Sequence, residues 1–278
     1  MSQKKVASII MGGILFIALF MRLGTILKPT VNVIFQPQTQ VENRQKSLDE
    51  SVLPHYEERT RQVSHLVIHS FALSVPEMVK RLNDLKVSTH YLISTDGKIT
   101  SLVPENKVAF HAGKSFWRGD ISLNQTSIGI ELQNPTLGQT PFPKKQLDAF
   151  VLLAKDIMNR NHISPKNVVA HSDISPTRKV DVGKSFPWRE MAKHNIGLYP
   201  VSQNKSVQNK DINELLQQIG YDTTDLDKAL IAFQRRFMPE LIAVDRDIQH
   251  LEENLKNKEP IVNEAVIKRL NEVADSYK

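Results

Sequence analysis

The chain contains no cysteine. That removes disulfides, thiol nucleophiles, cysteine-ligated structural zinc and a lipoprotein-type acylated cysteine together. Any metal must then be held by histidines and carboxylates. There is also no dense arginine or lysine run and no arginine-rich helix; the basic residues are spread along all 278 positions. The formal charge of +6 and a pI near 9.3 favour anionic partners in general. Nucleic acid, anionic lipid and an anionic wall polymer share that attraction, but a nucleic-acid footprint is usually clustered, so nucleic acid is not an expected partner. Internal repeats and low-complexity tracts are absent as well, which leaves an ordinary globular domain plus a smaller one for a chain of this length.

What is present begins at the N-terminus. Lys4 and Lys5 precede an uncharged apolar stretch from Val6 to Met21, ended by Arg22. A basic start before an apolar core reads as an export signal. As a helix the stretch reaches only ~24 Å, short of the ~30 Å hydrocarbon core, unless Leu23 to Leu27 extend it past a snorkelling Arg22. No small-x-small cleavage site stands out, so a signal peptide and an uncleaved anchor both fit residues 1–36. Export is therefore expected, with the chain either membrane-anchored or secreted. Residues 37–62 are polar and read as a linker or a peripheral wrap.

From His65 the pattern alternates between strand and helix. His65 to His69 is a short apolar run with the length of a buried strand. Ser74 and Glu77 form a capping box ahead of a helix from Val75 to Leu85. Tyr91–Ser94 and Lys98–Val103 flank Asp96-Gly97, a hairpin signal. Ser127–Leu132 reads as a second buried strand, broken at Asn134-Pro135. Leu147, Phe150, Val151, Ala154 and Ile157 share one face of a helix from Lys144 to Asn161. Val168–His171 is a third short strand. The order predicts an α/β domain over one mixed central sheet flanked by helices, spanning 63–200. Residues 201–210 are a polar linker, and 211–278 read as a small all-α module with helices at Ile212–Ile219, Leu226–Phe237, Leu241–Leu255 and Glu264–Ser276, the first stopped by Gly220.

With nine histidines and no thiol, the chemistry to seek is a His/Asp metal site. His69 and His171 end predicted buried strands, where side chains of an α/β sheet gather at one edge. Asp181 follows in the loop after His171. Two imidazoles and one carboxylate leave zinc's fourth position open, the catalytic arrangement. By periodicity alone each histidine is equally well a satisfied core residue.

The segment from His65 to about Pro200 resembles the type-2 amidase family of N-acetylmuramoyl-L-alanine amidases and peptidoglycan recognition proteins, in its envelope-bound, AmiD-like branch. The resemblance is carried by Leu66-Val67-Ile68-His69, Ser88-Thr89-His90-Tyr91-Leu92-Ile93, Phe110-His111-Ala112-Gly113 with Trp117-Arg118-Gly119, Asn124 to Glu131, His171 to Asp181, and Phe186-Pro187-Trp188. It implies a Zn2+ ion held by His69, His171 and Asp181. It also implies Glu131 as catalytic acid/base, Lys179 as the stabiliser of the tetrahedral intermediate, and His90, His111, Trp117 and Arg118 along the substrate groove. The implied partner is peptidoglycan or its muropeptides, cut between the lactyl group of the muramic or anhydro-muramic acid and L-alanine, and the implied state is a monomer. The family's acylated cysteine is missing here, and Val180 stands where a polar or small residue is common; it is expected to point away from the metal. A non-catalytic peptidoglycan receptor on the same fold would lack a ligand, and the set here is complete. Asp211 to about Pro239 resembles the start of a helical peptidoglycan-binding module, with a packing-only cap as the alternative.

Overall fold

A computed structural model of the chain describes residues 55–201, 211–245, 247 and 250–278. The expected export segment and the larger parts of both linkers lie outside the described residues. Among the described residues no helix is long and apolar enough to cross a membrane. The order is β1 (Tyr56–Glu58), β2 (His65–Phe71), α1 (Val75–Asp84), β3 (Tyr91–Ile93), β4 (Ile99–Ser101), β5 (Lys107–Ala109), α2 (Leu123–Thr126), β6 (Ser127–Gln133), α3 (Lys144–Asn161) and β7 (Val168–Ala170). It continues with α4 (His171–Ile174), α5 (Trp188–Lys193), α6 (Ile212–Ile219), α7 (Leu226–Phe237), α8 (Leu251–Lys256) and α9 (Glu264–Ser276).

Five strands form one mixed sheet in the order β4-β3-β6-β2-β7. β3, β6, β2 and β7 run parallel, and β4 returns antiparallel through the Asp96-Gly97 turn. Gly97 has φ +85°, and a Cβ there would lie 2.6 Å from the Lys145 carbonyl oxygen, so the turn needs glycine twice over. The capping box at Ser74 and Glu77 is formed.

Side chains on a strand alternate between faces, and here the alternation separates two cores. Leu66, Ile68, Ile128, Ile130, Leu132 and Val168 face α3, where they meet Phe150, Leu153, Ala154 and Ile157. Val67 and Val169 face the other way and join Trp117, Leu215, Tyr221, Phe233, Leu270 and Tyr277. Helices α6, α7 and α9 are therefore a third layer on the sheet. Coverage on both faces is why β2 is buried from end to end.

The expected helix from Leu241 to Leu255 is not formed as one element. Pro239 opens a single 3-10 turn, and a helix resumes only at Leu251. Between them tertiary bonds compete with helical ones: Lys184 donates to the Ile242 carbonyl, and the Asp245 amide donates to Gln139 Oε1. Ile242 and Leu251 pack with Ile231 on Val180, whose side chain thus sits in an apolar cluster. Upstream, β1 pairs with β5, and the Arg59 guanidinium donates to the carbonyls of Glu105, Lys107, Gln125 and Ser127. These residues strap the domain rather than hang from it.

Trp117 departs from the expected groove lining. Trp117 is fully enclosed, edge-on to Tyr221 and Tyr277 with ring centroids 5.1 and 6.2 Å away, and its indole N–H donates to the Lys166 carbonyl at 3.0 Å. Arg118 donates to the carbonyls of Ile219 and Tyr277 at 3.3 and 3.4 Å. The apolar helices enclose the Trp117 ring and leave it unavailable to a ligand, whereas Arg118 stays exposed beside them. Trp117→Ala is expected to cost about 3–5 kcal/mol of stability, as large buried aromatic truncations do. Chemical denaturation followed by circular dichroism measures it; an unchanged midpoint would mean the helices do not seal over this ring.

Candidate metal centre

Three parallel strands deliver the site from their carboxyl ends. His69 lies near the end of β2, and Glu131 stands opposite it in β6. Strand β7 stops at Ala170, so His171 is not the end of a strand, as its sequence suggested, but the first residue of α4. The break is made by Asp173, whose carboxylate accepts the Ala170 amide at 2.9 Å and turns the chain into the helix. The Ser172 amide in turn donates to the Asp181 carbonyl at 2.7 Å and brings the following loop alongside.

His69, His171 and Asp181 come together. His69 Nδ1 and His171 Nδ1 are 3.0 Å apart, and Asp181 Oδ2 lies 3.3 and 3.2 Å from them. Donor atoms on a tetrahedral zinc at the usual bond lengths would stand ~3.3 Å from one another. All three groups are buried.

The outer nitrogens settle which protons are where. His171 Nε2 faces the Ala112 carbonyl at 3.3 Å, and a carbonyl only accepts, so Nε2 carries the hydrogen. The Ser127 hydroxyl donates to the Leu123 carbonyl, leaving its oxygen to accept from His111 Nε2 at 3.2 Å. His111 Nδ1 then accepts from His69 Nε2 at 2.9 Å. In their neutral form both imidazoles accordingly turn Nδ1 lone pairs towards each other and towards the carboxylate. Three converging lone-pair donors fit a cation, and imidazoles oriented by hydrogen bonds at the far nitrogen are the arrangement metal sites use.

Electrostatics agree. Burial pushes the His69 imidazole down to about 4, His171 adds to the effect, and Asp181 opposes it. Burial alone would raise the Asp181 carboxyl, but His171 and His69 hold it well below the usual carboxylate range. Glu131 moves the other way: burial first and then the Asp181 charge push it well above its ordinary value, against the pull of Lys179. Its Oε2 is enclosed and has no hydrogen-bond partner. Lys179, half-buried two residues before Asp181, is close enough for its charge to act on both His69 and Glu131.

The remaining expected residues are placed otherwise. His111 supports His69 from behind, its ring laid on Gly129, where a Cβ would fall 2.6 Å from His111 Cγ. His90 is fully buried, accepts the Gly129 amide at 3.0 Å, and is pushed down to about 3 by burial and by Arg59. Both rings are buried and held by hydrogen bonds within the fold. Asp173, Tyr221 and Arg236, which the sequence gave no reason to group, meet beside His171. A two-residue spacing from His171 is a local signal for Asp173, but an arginine 63 positions later on an apolar helix has none.

The chain is similar to known amidases. Residues 59–184 match the family described as N-acetylmuramoyl-L-alanine amidase. The N-acetylmuramoyl-L-alanine amidase AmiD of Escherichia coli (strain K12) is 38% identical over 230 residues, covering 71% of this chain and 83% of that protein. The structure of E. coli AmiD in complex with the substrate anhydro-N-acetylmuramic acid-L-Ala-D-gamma-Glu-L-Lys superposes with a TM-score of 0.62 at 32% identity, over 83% of this chain and 93% of that one. AmpDh3 from Pseudomonas aeruginosa gives a TM-score of 0.64 at 28% identity, over 78% and 93%. With the same fold beneath the same span of sequence, the chain belongs to the type-2 family of N-acetylmuramoyl-L-alanine amidases, in its AmiD-like branch.

Proposed function

We propose that this amidase is a zinc enzyme of the bacterial envelope that hydrolyses the bond between the lactyl group of N-acetylmuramic or anhydro-muramic acid and L-alanine of the stem peptide. The observation that carries the reading is the triangle of His69 Nδ1, His171 Nδ1 and Asp181 Oδ2, with edges of 3.0–3.3 Å and lone pairs facing inward, beside a buried carboxyl. His69, His171 and Asp181 would hold the ion, and zinc bound there supplies Lewis acidity, polarising a carbonyl and lowering the pKa of water towards ~7.

Glu131 is the acid/base. It takes a proton as water adds to the carbonyl carbon and returns it to the alanine nitrogen as the C–N bond breaks. An upward-shifted carboxyl holds that proton more readily than an exposed one, which suits the delivery half of the cycle. Lys179 sets a positive charge against the oxyanion, a contribution of about 2.7–4 kcal/mol for a single donor in such sites. The muropeptide substrate is supported by the likeness to AmiD in complex with anhydro-N-acetylmuramic acid-L-Ala-D-gamma-Glu-L-Lys. Envelope placement rests on the basic and apolar N-terminal segment, which serves as signal or anchor.

Digestion of purified muropeptides, analysed by mass spectrometry, tests the bond and the metal together. Free stem peptide beginning with alanine is expected, lost with a chelator and restored by zinc. Binding without cleavage would favour a receptor instead. Glu131→Gln should retain zinc yet lower turnover by about 10²–10⁴, and Lys179→Met by about 10²–10³; wild-type rates in either would take that residue out of the mechanism.

A further inference from the structure

Two residues beyond His171, the Asp173 side chain is wholly buried and gripped from three sides. Arg236 Nη1 donates to Oδ2 at 2.6 Å, the Tyr221 hydroxyl to Oδ1 at 2.8 Å, and the Ala170 amide to Oδ2 at 2.9 Å. The first two donors belong to α7 and to the residue that follows the α6 cap at Gly220. The third is the backbone immediately before His171. Arg236 is itself fixed in place: Nη2 donates to the Val168 carbonyl at 3.1 Å, and the guanidinium lies 3.9 Å over the Trp188 ring. Since the Ser172 amide holds the Asp181 carbonyl, the turn carrying His171 and the loop carrying Asp181 hang on one bridge anchored in the C-terminal helices.

Stability is a poor account of that bridge. Two charges taken out of water recover little more than their desolvation, and well-packed apolar residues often do as well or better. What the pair supplies and apolar contact does not is direction. Each of the carboxylate oxygens has a set donor, and so the α4 turn has one orientation relative to α7. A metal site needs its ligands held to within about 0.5 Å, which packing of a four-residue helix alone does not secure.

We propose that the Asp173–Arg236–Tyr221 bridge is a positioning device by which the C-terminal helices set the geometry of His171 and Asp181, so that residues 211–278 act on the metal centre from behind. The inference rests on the reading of His171 and Asp181 as zinc ligands. Arg236 and Tyr221 touch neither ion nor substrate in this scheme; they act through Asp173.

The test is zinc affinity of the full chain, by competition with a chromophoric chelator, together with muropeptide kinetics and thermal unfolding. Arg236→Met and Tyr221→Phe keep the shape of the buried groups. Each folded variant should still bind zinc stoichiometrically, Arg236→Met with affinity lower by about ten- to a hundredfold, the range for outer-shell partners, and Tyr221→Phe by less. Turnover should fall with KM unchanged, and Arg236→Lys should recover part of the affinity. Wild-type zinc affinity and turnover in folded Arg236→Met, with only a lower melting temperature, would overturn the proposal and leave the metal reading intact. Lost binding to wall polymer at unchanged zinc affinity would overturn it in favour of a wall contact. Should Arg236→Met not fold, the same comparison on Tyr221→Phe decides the matter. A wild-type chain that takes up no zinc would remove both readings at once.

Discussion

His69 and Glu131 are register partners across the parallel strands β2 and β6, and paired residues in a sheet point to the same face. A slip of one residue would turn Glu131 towards α3 and bring Ile130 or Leu132 to the His69–His171–Asp181 cluster. The register is held from both sides, because Leu66 and Ile68 on one strand and Ile128 and Ile130 on the other must reach α3. The apolar pattern that builds the core thus decides which polar residues share the opposite face. The same parity places Ser127 and Gly129 on the Glu131 side, where they receive His111.

The polar interior is organised as one chain of donors and acceptors that ends on main-chain carbonyls. Leu123 O and Ala112 O can only accept, and that chemical fact propagates through Ser127 and His111 to the lone pair of His69. Burial then makes the arrangement sensitive to charge: it lowers His69, His90 and His111 and raises Glu131, while histidine neighbours hold Asp181 anionic. A site with converging lone pairs, a protonatable carboxyl and a nearby lysine has the parts that amide hydrolysis requires.

The C-terminal helices close the other face of the sheet. Trp117, which the order of motifs suggested for a groove, is instead a core residue shared by the sheet and these helices. Val180 is turned into an apolar cluster with Ile231, Ile242 and Leu251, so the residue next to Asp181 is covered by the helical layer. Buried polar contacts at Asp173 run through the same interface.

Much of this was legible along the chain. Local patterns carry local structure: the Ser74–Glu77 box, the Asp96-Gly97 turn, the Gly220 stop and the helical face of Lys144–Asn161 all appear where short-range chemistry places them. The motif order also named His69, His171 and Asp181, which the fold brings within hydrogen-bond range. Other features depend on partners far away in sequence, and no local signal encodes them. Leu241–Leu255 has helical composition but gives up much of its helix to bonds with Lys184 and Gln139. His90, His111 and Trp117 have the chemistry of ligand-binding residues, but the strands and helices that enclose them make two of them structural supports and the third a core ring. Arg236 looks like any solvated helical arginine until α7 is laid against β7 and α4. Sequence by itself determined most of the elements, the reactive residue types and, through motif order, the His69–His171–Asp181 set, because those follow from near neighbours and local motifs; tertiary structure alone decided that His90, His111 and Trp117 are enclosed and that Arg236 reaches Asp173, because that depends on which surfaces the apolar faces bury.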